Sequence, residues 1–259
     1  MSFILGVDFS GAALAGEKIW VSRAQMQNNI LHFDVLERAA NLAGGTTSRD
    51  DALVALRTWL NDHPGARCGF DFPFSLRREA ITDSTYADWL KRFADRFPTP
   101  EELRDNNPDS KRLTDIEAKT PFSPLNLRLY RQTYYGIRDI LAPLHAAGAQ
   151  ILPFDSPTET KTWLLEICPA SLLKREKLYL SYKGKSEIQR QNRETIISEM
   201  SSRVPFTWSD ELAERAVADT EGDALDAVLA AVCVLNALKN PSDLTAKNEV
   251  EKFEGRVYF

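Results

Sequence analysis

The sequence predicts an α/β fold built on a mixed sheet. Three observations predict it. Residues 3–36 hold three short strand-like runs separated by turn-type clusters. A helical crossover then delivers a fourth strand. Late in the chain, residues 222–238 read as a helix that is apolar on nearly every face.

In order, Phe3-Ile4-Leu5-Gly6-Val7-Asp8 reads as a buried strand ending on a carboxylate. Residues 18–23 and 30–36 read as two more strands, joined by Gln27-Asn28-Asn29. Short connections make the three an antiparallel meander. Ser48-Arg49-Asp50-Asp51 resembles a capping box with Asp in the Glu/Gln place. The helix it opens sets Leu53, Leu56 and Leu60 on one face and stops before Pro64. Residues 67–71 follow as a strand halted by Pro73, parallel to a partner, the first strand being the natural one.

Residues 75–145 break this rhythm and read as a helical insertion or cap. Residues 77–97 look helical, and 98–107 are polar and Pro-rich. Residues 125–144 form a second helical pattern, with Leu127, Tyr130, Tyr134, Ile137 and Leu141 at helical spacing. Residues 150–154 and 162–167 are further strands. Residues 172–202 are charged and mostly helical, interrupted near Gly184, and 209–218 form another helix.

Composition narrows the function. The 259 residues carry 32 Lys+Arg against 37 Asp+Glu, a formal charge of −5. That balance argues against a protein that coats nucleic acid non-specifically, though not against a nucleic-acid enzyme with segregated charge. Cys68, Cys168 and Cys233 are widely spaced, so a structural zinc site is not expected and reduced thiols in the cytoplasm are. The N-terminus has no basic region and reaches Asp8 too soon for a signal peptide. The longest apolar run, residues 227–235, falls far short of the ~20 residues that span a bilayer. No membrane partner is expected, and oligomeric state is left open.

Four acids stand where a solvated acid is out of place. Asp8 and Asp71 each end an apolar strand, and Asp223 and Asp226 begin the apolar late helix. An isolated carboxylate in such surroundings is costly unless paired or bound to metal. Parallel neighbouring strands set Asp8 and Asp71 at one sheet edge. The i,i+3 spacing sets Asp223 and Asp226 on one helix face. Converging carboxylates suit Mg2+ or Mn2+, and two such ions about 4 Å apart can hydrolyse a phosphodiester. Each acid also has a structural reading. Thr220-Glu221-Gly222-Asp223 could be a capping box, Asp8 could cap its own turn, Asp71 could be a turn acid, and Glu166 could pair with a Lys or Arg.

Four motifs carry a family resemblance: Gly6-Val7-Asp8-Phe9-Ser10-Gly11, Asp71-Phe72-Pro73-Phe74-Ser75, Leu165-Glu166-Ile167-Cys168-Pro169 and Gly222-Asp223-Ala224-Leu225-Asp226-Ala227. In this order, and with the ending Phe253-Glu254-Gly255-Arg256-Val257-Tyr258, the chain resembles the family known as domain of unknown function 429. The family is regarded as predicted nucleases of ribonuclease-H-like fold. The resemblance implies a five-stranded mixed sheet, three strands antiparallel and the rest parallel, with helices on both faces. Residues 1–259 then form a single ribonuclease-H-like domain with the helical insertion at about 75–145. The late Asp-x-x-Asp is similar to that of Holliday-junction resolvases of the RuvC type, whose acids map onto Asp8, Asp71, Asp223 and Asp226.

The resulting expectation is a metal-dependent phosphodiester hydrolase acting on nucleic acid. Asp8 and Asp226 would hold the first Mg2+ or Mn2+ and Asp71 the second. Asp223 would be a ligand or water-orienting base, and Glu166 an outer candidate. Ser10, in the turn after Asp8, and Lys183, Lys185 and Arg190, in a basic stretch interleaved with Tyr179 and Tyr182, are the expected substrate contacts. A solvated helix face explains the basic stretch equally simply. In the insertion, Arg112, Arg128, Arg131 and Arg138 could reach substrate or line a surface helix. The rivals are a nucleotide-binding ATPase or kinase-like enzyme of the related actin-like fold, and a non-catalytic binding protein with structural acids.

Overall fold

In the computed structural model, which describes residues 2–259, seven strands form one sheet: β1 (Ile4–Asp8), β2 (Trp20–Gln27), β3 (Ile30–Arg38), β4 (Arg67–Phe70), β5 (Gln150–Leu152), β6 (Trp163–Glu166) and β7 (Phe206–Thr207). Their order is β5-β6-β4-β1-β2-β3-β7. β1, β2 and β3 are the expected antiparallel meander. The crossover helix Arg49–Asn61 starts at Ser48, whose hydroxyl accepts from the Asp51 amide, and returns the chain to β4, parallel to β1. β6 and β5 extend the parallel half. The sheet is two strands wider than the resemblance implied. β5 was legible as a strand. β7 was not, because two residues have no periodicity; the Leu31 amide donating to Pro205 O fixes it on β3.

The strands alternate between two apolar cores. Leu5, Val7, Cys68, Phe70 and Leu164 face one core together with Trp89, Phe93 and Tyr134 of the 75–145 segment. Ile4, Ala24, Leu165 and Ile167 face the other, which is filled by the helix Asp223–Leu238. Helices therefore cover both faces.

Gly6 and Gly69 set how closely that late helix approaches. They are register partners on β1 and β4. A Cβ on Gly6 would lie 2.1 Å from Ala227 O, and one on Gly69 2.6 Å from Val234 Cγ2. The helix thus lies directly on the two strands, and Ser22 Oγ on β2 donates to Ala227 O at 2.7 Å. Gly6→Ala must push helix or strand aside, because backbone oxygen cannot yield as a side-chain tip can. The expected loss is about 1–3 kcal/mol, read as a lower denaturation midpoint; an unchanged midpoint would refute the close-approach role.

Several local expectations are corrected. The helix placed at 77–97 begins only at Tyr86 and is preceded by a single 3-10 turn, Arg78–Ala80. The polar 98–107 stretch contains the helix Pro100–Asp105, capped by Thr99, whose Thr-Pro-Glu-Glu start was a readable signal. Leu113–Ala118 is a further unpredicted helix. The 125–144 helix starts at Tyr130, so Leu127 lies outside it and is 73% exposed. The interruption near Gly184 is wider than expected and separates the helices Pro169–Arg175 and Glu187–Arg203. Among the described residues no helix is long and apolar enough to cross a membrane.

Candidate metal centre

Two register facts build the site. Val7 pairs with Phe70, and the Asp71 amide donates to Val7 O at 3.0 Å, so Asp8 and Asp71 leave adjacent parallel strands side by side. Two residues along each strand from Gly6 and Gly69, both carboxylates point to the face on which the Asp223–Leu238 helix lies. The helix runs so that its first turn meets that edge. One carboxylate oxygen each from Asp8, Asp223 and Asp226 lie within 4.8 Å of one another. Asp71 lines the same cavity of about 640 Å³.

The start of this helix shows why Asp223 is free for such a role. Gly222, at φ 78°, makes the turn into the helix, and Asp219 caps it by accepting from the Ala224 amide at 3.0 Å. The capping-box reading of Thr220 and Asp223 is thereby replaced. Asp223 and Asp226 stand in the first turn, where the helix dipole favours negative charge.

Lys183 and Tyr182 attend these acids. Lys183 Nζ lies 2.7 Å from Asp226 and 3.1 Å from Asp223. The Tyr182 hydroxyl donates to Asp226 Oδ1 at 2.7 Å. Burial, followed by the Asp226 charge, raises that hydroxyl well above the tyrosine range and keeps it a donor. The buried Arg193 guanidinium donates to Tyr182 O, Gly184 O and Val217 O and so holds the 182–184 loop in place. Tyr182 is therefore a buried positioning residue, not the stacking platform its basic neighbours suggested. Arg193 lay in the same basic stretch, and nothing in its spacing distinguished it from a solvated face.

The remaining expected contacts divide. Ser10 lines the cavity, with its hydroxyl accepting from the Ala12 amide. Lys185 is exposed and outside the cavity, and Arg190 pairs with Glu194 and Glu214. Neither reaches the acids, because the helix carrying Arg190 starts beyond the loop that delivers Lys183. Arg131 pairs with Glu101 and Arg138 with Asp139, which leaves Arg128 as the insertion arginine on the cavity wall.

Glu166 is in register with Phe70 and so points to the opposite sheet face from Asp71. There it meets Arg112, which the sequence left open between surface and substrate and which is fully buried. Arg112 holds both carboxylate oxygens of Glu166, with Nη1 at 2.8 Å, and also pairs with Asp115 at 2.7 Å. The Phe74 amide donates to Glu166 as well. Of the two readings open for Glu166, the ion pair is the one realised, and Glu166 is not part of the three-carboxylate group.

The electrostatics fit a cation. Burial raises Asp8 well above the carboxylate range, with the charges of Asp223 and Asp226 adding to it. Burial pushes Asp71 up to about 8, helped by Asp226 and opposed by Lys183. Burial pushes Asp223 up to about 6 against the pull of Lys183. Lys183 is held above the lysine range: burial opposes its charge, and Asp226 and Asp8 outweigh that.

No family model, curated protein or solved structure matches this chain. The site is accordingly argued from its own chemistry. Hard oxygen donors from two rigid elements suit Mg2+ or Mn2+ better than a soft metal. Lys183 Nζ already pairs with two of the three clustered acids, Asp223 and Asp226. Lys183→Met is expected to tighten Mn2+ binding about tenfold by removing a competing cation. Calorimetric titration of both proteins checks this, and equal or weaker binding by the variant would assign Lys183 to the ligand shell's support instead.

Proposed function

We propose that this protein is a metal-dependent phosphodiester hydrolase acting on nucleic acid. The observation that carries the reading is the meeting of Asp8, Asp223 and Asp226 within 4.8 Å at the end of parallel strands, on the floor of a cavity. The strand run β3-β2-β1-β4-β6, antiparallel then parallel, supports the ribonuclease-H-like reading of the sheet; membership of the domain of unknown function 429 family rests on the sequence motifs. The three cysteines are free and buried, in keeping with a reducing, cytoplasmic compartment.

In this reading Asp8, Asp223 and Asp226 hold one divalent ion and Asp71 offers a ligand to a second. A bound divalent ion supplies an acidified water and charge neutralisation at phosphorus. The chain's own groups do the rest. Tyr182 fixes the Asp226 carboxylate, and Lys183, on a loop anchored by Arg193, would offer its ammonium to a phosphate oxygen. The water oxygen bonds to phosphorus, the P–O bond to one sugar breaks, and one proton of that water passes to the departing sugar oxygen, leaving a phosphate monoester and a sugar hydroxyl. The test is a cleavage panel of single-stranded and duplex DNA and RNA with Mg2+ or Mn2+. Product in wild type and none in Asp8→Asn supports the reading; equal product in both overturns it.

The raised carboxyls also set a pH dependence. The folded, metal-free chain keeps protons that the unfolded chain, with carboxylates near 4, has released. That stability is fully present below the ordinary carboxylate range. It is lost as pH rises through about 6, where Asp223 titrates, and about 8, where Asp71 does. The melting temperature of the metal-free protein should fall between about pH 4 and 8, and Mn2+ affinity should rise over the same interval as the ion displaces protons. A flat affinity profile would show that these carboxylates do not bind the ion.

A further inference from the structure

One wall of the cavity is pinned at several points. The 113–122 segment of the insertion lies over the sheet edge because Arg112 clasps Glu166 beneath it. Lys174 Nζ on the helix Pro169–Arg175 donates to Lys119 O at 2.8 Å. Ala118 packs with Cys168 and Val257. On the other side, a Cβ on Gly11 would lie 2.5 Å from the Arg131 backbone, so the helix Tyr130–Gly136 rests on the turn that follows Asp8. Gln132 Nε2 donates to Asp71 O.

Two aromatic rings that the acidic site does not use line this cavity. Phe122 is half-buried on the insertion, with the exposed Arg128 guanidinium 5.6 Å from its ring centroid. Tyr179, 53% exposed, follows the helix Pro169–Arg175, and the Lys174–Lys119 bond ties the two segments together. Lys174 Nζ lies 5.2 Å from the Tyr179 ring centroid, and a ring that reaches solvent beside a cation is what an unpaired base stacks on. A cavity of about 640 Å³ is of small-ligand size. A duplex presents its bases already stacked and its backbone on a stiff, wide cylinder, which walls of this kind hold away from the floor.

We infer that the cavity takes one unpaired nucleotide of a single strand, its phosphate at the carboxylates and its base on Phe122 and Tyr179, with Arg128 facing the neighbouring phosphate. The inference rests on the hydrolase reading for the phosphate position, while the base platform is independent of it. It makes the preferred substrate a single strand or a frayed end, and makes duplex a poor one.

The experiment is fluorescence anisotropy of the full chain in Ca2+ with labelled dT12, labelled U12 and a blunt 12-base-pair duplex. Wild type, Tyr179→Ala and Phe122→Ala are compared, and Mn2+ titration calorimetry is run on each. Expected are binding of a single strand at least about tenfold tighter than duplex, and a loss of about tenfold in either variant, the scale of one lost base stack. Mn2+ affinity should stay within about twofold of wild type. Tyr179 is exposed, so its variant tests the platform even where Phe122→Ala disturbs packing. Duplex binding equal to or tighter than single-strand binding, no nucleic-acid binding at all, or an unaltered Tyr179→Ala would overturn the inference. Failure of the hydrolase reading shows separately, as single-strand binding that persists with no Mn2+ site and no cleavage. The dT12 and U12 arms separate DNA from RNA.

Discussion

If the hydrolase reading holds, Asp8→Asn and Asp226→Asn are each expected to abolish Mn2+-dependent cleavage and to leave a folded protein. Both residues offer an oxygen to the three-carboxylate group, one from a strand end and one from a helix turn, so neither can substitute for the other. Replacing an outer partner of a metal ligand typically costs about 10–100-fold in affinity. Loss of a direct ligand should exceed about 100-fold, which titration calorimetry reads. The stability effect has the opposite sign. Asp8 is buried beside Asp223 and Asp226, and its charged form is disfavoured first by burial and then by those like charges. A neutral Asn relieves that repulsion, so metal-free Asp8→Asn should melt at or above wild type at pH 8. The gain should shrink near pH 5, below the raised values of Asp223 and Asp71. The pattern to look for is lost metal binding, lost turnover and undiminished metal-free stability. A variant that cleaves, or that melts lower without metal at pH 8, would count against the carboxylate centre.

Arg112→Met is expected to cost several kcal/mol of stability. Arg112 is fully buried between Asp115 and Glu166, themselves nearly so, and also donates to Glu254 O. Two more amides, Arg78 N and Leu113 N, donate to the Glu254 carboxylate, so the C-terminal segment and the insertion meet at this point. Removing one partner of a buried ion network leaves uncompensated charge and costs about 3–5 kcal/mol. At about 2–4 °C per kcal/mol for a chain near this size, the melting temperature should fall by about 6–20 °C. Neutralising the orphaned acids as well, with Asp115→Asn and Glu166→Gln beside Arg112→Met, should recover most of the loss, because desolvated charge is what the single variant pays for. A single variant that melts within about 2 °C of wild type would show the clasp to be dispensable. Because this clasp fixes the cavity wall, Arg112→Met should also weaken single-strand binding before it weakens Mn2+ binding.

Much of the frame was legible in the chain. The meander, the crossover and the β4 strand follow from apolar runs, turn clusters and a capping serine, all signals that act within a few residues. The placement of Asp8 and Asp71 at one edge also followed, because parallel strands that end on acids must present them together. Glu166 shows where such reasoning stops. It ends a strand just as Asp71 does, yet β6 pairs with β4 in a register that turns it to the other face, and a one-residue shift would have reversed that. Register is decided by partners far away in sequence, not by the strand itself. Lys185 and Arg190 were as visible as Lys183, but the sequence did not show that Lys183 alone of the three would line the cavity.

The sequence by itself determined which elements form and which residues carry chemistry, since propensity, capping and hydrophobic period are local and an acid in an apolar run is conspicuous wherever it lies. Tertiary structure alone decided what those residues meet. The paired glycines at positions 6 and 69 let the late helix touch the sheet, and that contact brings Asp223 and Asp226 to Asp8. Arg112 finds Glu166 across 54 residues of intervening chain. Tyr182 and Arg193, read as part of a charged surface, turn inward to hold Asp226 and its loop. The physical reason is common to all three. Burial and close approach are properties of two surfaces packed together, and a single strand or helix carries only one of them.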